Sequence, residues 1–191
     1  KIRVIFPDFG LSWLDIQTED DVKRWERYTF QDRDTCMADM TEKIIRENQD
    51  SRGHLFIVGG NHACKHANGV PSLGNLLKQK FSDEEVYAVK LHTVWGDNSG
   101  NVFGKVRKGL FDFVFRMNGN KPGAFALADS PFGCEPCDFE LEYQGVPIAG
   151  TFEENFDAYV FLQPLEMDKV GYFLVEEMYT DSFVDEIKRR C

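Results

Sequence analysis

The stretch Phe-Ile-Val-Gly-Gly-Asn-His-Ala-Cys-Lys-His, residues 56–66, holds the residues best suited to chemistry. An apolar run ends in Gly59 and Gly60. Asn61 and His62 follow, with Lys65 and His66 close behind. Paired glycines let a backbone turn sharply and let a ligand come near it. A histidine delivered by such a turn takes or gives a proton near neutral pH. Lys65 and His66 add positive charge suited to a carboxylate or an oxyanion. His62 is therefore the candidate base, and Asn61, Lys65 and His66 are candidate substrate contacts. The plainer reading makes His62 a cap on its own turn.

Other residues compete for a role. Arg33 and Asp34 sit side by side in a helical pattern. As an intrahelical ion pair they contribute well under about 1 kcal/mol. As a cleft residue, Arg33 is an anion clamp whose planar fork fits carboxylates and oxyanions. Asp129, in Ala-Asp-Ser-Pro-Phe-Gly, either caps the next turn or contacts substrate. His92 falls inside a strand pattern and reads as a core or face histidine. Cys64 follows His62 by two positions, a spacing that rarely brings a thiol to an imidazole. The five cysteines make no disulfide framework, and the single CxxC of Cys134 and Cys137 lacks the second pair of a zinc ribbon. They read as reduced cysteines of a cytoplasmic compartment. No metal or cofactor is expected.

Alternating strand and helix patterns position these residues. Strands are predicted over 2–6, 54–60, 85–93, 123–129 and 157–165, with the run 54–60 read as a buried parallel strand. Residues 19–49 read as one long helix or two, with Thr18 as cap and acids in the first turn. A helix is predicted over 71–81, with Pro71 early and Ser72 as cap. Further helices are predicted over 101–119 and 181–191, and a hairpin over 138–152 around Gln144-Gly145. Strands separated by helices imply an α/β fold, a mostly parallel or mixed sheet flanked by helices on both faces. In such sheets ligands bind beyond the carboxyl ends of the strands. His62, Asp97, Asp129 and Ser130 each follow a predicted strand and are expected on one rim.

Composition bounds the function. With 191 residues, 42% of them hydrophobic and 17 Phe, the chain can build one good-sized core. A net charge of −10 makes nucleic acid and anionic membrane surfaces poor partners. No stretch approaches the roughly 20 apolar residues of a membrane span. The abrupt strand-like opening, Lys-Ile-Arg-Val-Ile-Phe, reads as the C-terminal part of a longer polypeptide, one α/β domain over 1–191.

The order of motifs carries a resemblance. Arg33, Asp34, Met37 and Ala38 form the pattern RDxxMA. The Gly-Gly-Asn-His turn follows, then Pro-Ser-Leu-Gly-Asn-Leu-Leu, the strand pattern Val-Tyr-Ala-Val-Lys-Leu, and later Phe-Ala-Leu-Ala-Asp and Phe-Asp-Ala-Tyr-Val-Phe-Leu. Over residues 30–165 this order resembles the erythromycin-esterase superfamily, including its ChaN-like haem-binding relatives. The resemblance implies an α/β fold and hydrolysis of an ester or lactone by activated water. It makes His62 the second of the family's working histidines and Arg33 the cleft arginine. The esterases commonly show His-Asn-x-His where this chain shows Gly60-Asn61-His62, so one histidine is absent, and the first-half motif with its histidine and glutamates is not found. The expected partner is a small hydrophobic ester or lactone, with the rest of a larger polypeptide as another. A haem or other apolar-ligand module and an inactive accessory domain are the alternatives.

Overall fold

The computed structural model describes residues 15–48, 53–65, 71–82, 84–93, 95–96, 103–137 and 150–167, together with 181, 185, 188 and 189. The expected strand 2–6, His66, Asp97, most of the expected hairpin and most of the terminal helix lie outside these residues. The chain divides into two compact units, one of residues 1–33 with 169–191 and one of 34–168.

In the first unit, α1 spans Glu19–Arg27. The expected Thr18 cap is present. Thr18 accepts from the Asp21 amide, and the Asp21 carboxylate accepts from the Thr18 amide at 2.9 Å. This reciprocal pair satisfies two of the donors that every helix start leaves open. Glu19, Asp20 and Asp21 also favour the positive end of the helix dipole. A wide helical turn follows at Tyr28–Asp32, and Arg189 donates to Gln17 at 3.0 Å.

The second unit is α/β with a small mixed sheet. Its helix α2 is assigned to Arg33–Glu47, of which Asp34 onward belongs here. Helix α3 is Leu73–Lys80, α4 is Leu110–Met117 and α5 is Phe152–Asn155. The strands are β1 (Val89–Leu91), β2 (Trp95–Gly96), β3 (Phe103–Gly104), β4 (Gly123–Ala126) and β5 (Ala158–Phe161). The main sheet runs β1-β5-β4. β1 lies parallel to β5, with Lys90 opposite Tyr159, and β4 lies antiparallel to β5, with Phe125 opposite Tyr159. β2 and β3 form a separate antiparallel pair.

Side chains alternate across β1 as a pleat requires. Ala88, Lys90 and His92 are buried, whereas Val89 and Leu91 are exposed. On the buried side Phe111 and Phe115 of α4 meet Tyr159 and Phe161 of β5, with Phe132 and Phe152 completing the cluster. Phe115 stacks on Phe161 with centroids 4.0 Å apart, and Phe111 meets Phe132 edge-on at 4.5 Å. A second cluster joins Met37 and Ala38 of α2 to Leu73 and Leu77 of α3, with Val58 and Val86 against it. The Met-Ala of the RDxxMA pattern is thus the seam between two helices.

Two elements differ from expectation. The run before His62 is extended and is not assigned as a strand: among the described residues, 53–58 share no backbone hydrogen bond, and Leu55 and Ile57 are exposed while Phe56 and Val58 are partly buried. Its apolar composition suggested burial on both faces, yet only alternate residues find a core. The expected helix over 101–119 begins at Leu110. Arg107, Lys108 and Gly109 are all left-handed, at φ 48°, 53° and 89°, and such a run cannot continue a right-handed helix.

Candidate functional site

His62 sits in a single tight turn, Gly60–Ala63, whose start is tied by the His62 amide donating to the Gly59 carbonyl at 3.0 Å. A Cβ on Gly59 would lie 3.4 Å from the edge of the His62 ring, so the ring packs closely over that glycine. The His62 side chain is mostly buried but retains a solvent-facing fraction of 20%.

Its partner is Asp34. His62 Nδ1 meets Asp34 Oδ1 at 2.5 Å. A carboxylate only accepts, so this contact puts the proton on Nδ1 and leaves Nε2 of the neutral ring as the lone-pair nitrogen. The other oxygen, Asp34 Oδ2, accepts from the Leu73 amide at 3.0 Å. That amide opens α3, where the helix dipole favours a negative charge. Asp34 itself stands in the first turn of α2. Both carboxylate oxygens are therefore occupied, and the imidazole is held in one tautomer and one orientation.

Local chemistry explains why α3 arrives there. Ser72 caps it, accepting from the Asn75 amide at 3.4 Å, and the same hydroxyl donates to the Cys64 carbonyl at 2.5 Å. A Cβ on Gly74 would stand 2.5 Å from the Ala63 carbonyl oxygen and 2.7 Å from that of Cys64. Only glycine lets the first turn of α3 lie against the backbone that carries His62. The Arg-Asp, Gly-Gly-Asn-His and Pro-Ser-Leu-Gly motifs, read separately in the sequence, converge on one carboxylate and one imidazole.

The remaining candidates fall elsewhere. Lys65 is buried, and its ammonium pairs with Asp157 Oδ1 at 2.6 Å, while Asp157 Oδ2 accepts from the Ala88 amide at 2.6 Å. The Lys65 amide donates to the Asn155 carbonyl, and Asn75 donates to the Lys65 carbonyl at 3.1 Å. This lysine ties α3, α5 and the sheet together. Asp129 lies exposed in a turn at φ 56°, with no hydrogen bond or ion pair to His62. It follows β4, which runs against β1 and β5, so it does not share the rim beyond their carboxyl ends. Asn61 lies in the His62 turn itself. Arg33 is half-buried at the start of α2 and belongs to the first unit. Cys64 is buried, and burial pushes its thiol up to about 12, far from a thiolate nucleophile.

Asp34 is the site residue that sequence reasoning weighed only as half of a surface ion pair. Its signal was its place in the RDxxMA pattern, since the Met37 and Ala38 that bury one helix face fix which way Asp34 turns. Among the described residues no group of three or more His, Cys, Asp or Glu side chains is placed to hold a metal ion. No family model matches the chain, and no curated protein or solved structure proved similar to it.

Proposed function

We propose that this chain is a hydrolase domain of erythromycin-esterase type, cleaving a small hydrophobic ester or lactone with water activated by His62. The observation that supports this reading is the Asp34–His62 contact at 2.5 Å, backed by the Leu73 amide. Nε2 takes a proton from water as the hydroxide equivalent attacks the acyl carbon. Asp34 steadies the imidazolium that forms, and His62 returns the proton to the leaving alkoxide. Leu55 and Ile57, exposed on the run that leads to His62, offer apolar contact for the substrate.

The test is ester turnover by the longest available form of the protein, with activated aryl esters and a macrolactone as substrates. His62→Ala is expected to remove turnover. Asp34→Asn is expected to lower kcat by about 10²–10⁴-fold with a much smaller change in KM. The double variant should be no worse than His62→Ala, because the pair acts as a unit. Unchanged turnover in His62→Ala would refute the assignment. A haem Soret band that depends on His62, without turnover, would move the site to the ligand-binding reading.

A further inference from the structure

A second histidine–carboxylate pair lies inside the core, apart from His62. His92 follows the last residue of β1, and its side chain is wholly buried. Tyr159, on the neighbouring strand, meets His92 Nδ1 at 2.8 Å. Asp112, in the first turn of α4, places Oδ1 at 3.5 Å from His92 Nε2. The rings of Phe115 and Phe161 enclose the imidazole, each with centroids 5.2 Å away. Both Asp112 oxygens are buried, and neither accepts a hydrogen bond. A bare carboxylate is very costly in such surroundings unless its charge is balanced. The nearest balancing charge is a proton on the imidazole.

We propose that Asp112 and His92 hold one proton between them, backed by the Tyr159 hydroxyl, and that this shared proton latches α4 to the sheet, so that α4 loosens as pH rises past neutrality. The pair is neutral as a unit with one proton, which suits its apolar enclosure. With two protons it leaves an unbalanced cation, and with none an unbalanced carboxylate.

Among the described residues the neighbouring charges leave this balance intact near neutral pH. From β5 the pair faces Tyr159, whose hydroxyl burial holds protonated. From β1 it faces Lys90, lowered by burial only to about 8. From α4 come Asp112 itself and the exposed Arg116, which lies near Glu166. Lys105, just before α4, also pairs with Glu166, and its charge reaches Asp112. The buried Cys137 lies within electrostatic reach of Tyr159.

The sign follows from proton counts. Closed, the pair carries one proton. When α4 opens, both side chains reach water, and above about pH 6.5 the histidine gives its proton up while the carboxylate stays ionised. Opening then releases one proton, so the opening constant rises by up to about tenfold per pH unit. Between about pH 4 and 6.5 the open form also carries one proton, and the constant stays level.

Hydrogen–deuterium exchange of the full chain, followed in peptides covering α4 and corrected for intrinsic exchange, reads this constant. The wild-type constant is expected to stay level from about pH 5 to 6.5 and to rise up to about tenfold by pH 7.5. Asp112→Asn should abolish the rise above about pH 6.5, because the neutral imidazole it leaves has no proton to lose. Tyr159→Phe should raise opening at every pH and keep the slope. A level wild-type profile overturns the proposal, whatever the variants do. So does a rise above about pH 6.5 that persists unchanged in Asp112→Asn.

Discussion

At the residue scale Asp34 is the pivot of the candidate site. Its two oxygens serve two masters, the His62 ring and the Leu73 amide. Removing the side chain leaves a helix-opening N–H without its partner and a ring without its anchor. Asp34→Ala should therefore destabilise the fold by about 1–3 kcal/mol, read from the urea midpoint. Gly74→Ala should be comparable or worse, at about 2–3 kcal/mol, because the new methyl meets two backbone carbonyls that cannot swing aside. A neutral result for Gly74→Ala would mean that α3 does not lie where it is described. The turn that carries His62 was legible from its glycines. Asp34 was not, because a partner 28 residues away leaves no mark on local spacing. Lys65 shows the same limit from the other side: its position beside His62 suggested an anion contact, and the fold gives it Asp157 instead.

At the element scale, caps and alternation were readable and directions were not. Thr18 and Ser72 cap the helices that their sequence context announced. The cores of three expected strands appear as β1, β4 and β5. The antiparallel course of β4 carries no sequence signal, since strand direction is decided by connections rather than by composition. It is this reversal that takes Asp129 off the expected rim. The late start of α4 was hidden for a different reason: Arg107 and Lys108 are ordinary helix formers held in left-handed backbone. The element most dependent on packing is the junction of α4 with β5. Phe115→Ala should cost about 3–5 kcal/mol, since Phe115 touches Phe125, Phe132, Tyr159 and Phe161 at once. Breaking the Lys65–Asp157 tie with Lys65→Met leaves a half-buried carboxylate. It should cost up to about 3 kcal/mol by the same denaturation measurement.

At the scale of the whole molecule, the buried side of β1 carries two polar side chains, Lys90 and His92. Burial lowers the Lys90 amine from 10.5 to about 8. The folded chain then binds fewer protons than the unfolded chain between about pH 8 and 10.5, so this group's contribution to stability rises with pH across that window. Cys64 has the opposite sign. Its thiol is raised from 9.0 to about 12, and its contribution falls as pH climbs through that range. The two are separated by taking differences between chains. Lys90→Met should be more stable than the wild type at pH 7, and the gain should shrink steadily from about pH 8 to 10.5. A gain that is independent of pH would show that the lysine is not charged in the fold at neutral pH. A net charge of −10 disfavours polyanions as partners.

The central claim is that Asp34 holds His62 with its proton on Nδ1 and its lone pair on Nε2. The most direct test is the ¹⁵N NMR spectrum of the His62 ring, recorded in the wild type above the pH where the ring loses its second proton, with assignment by His62→Gln. The account predicts a protonated Nδ1 and an unprotonated Nε2, and a shift toward the mixed tautomers of a free histidine in Asp34→Asn. A His62 ring that carries its proton on Nε2, or that is indifferent to Asp34→Asn, would contradict it.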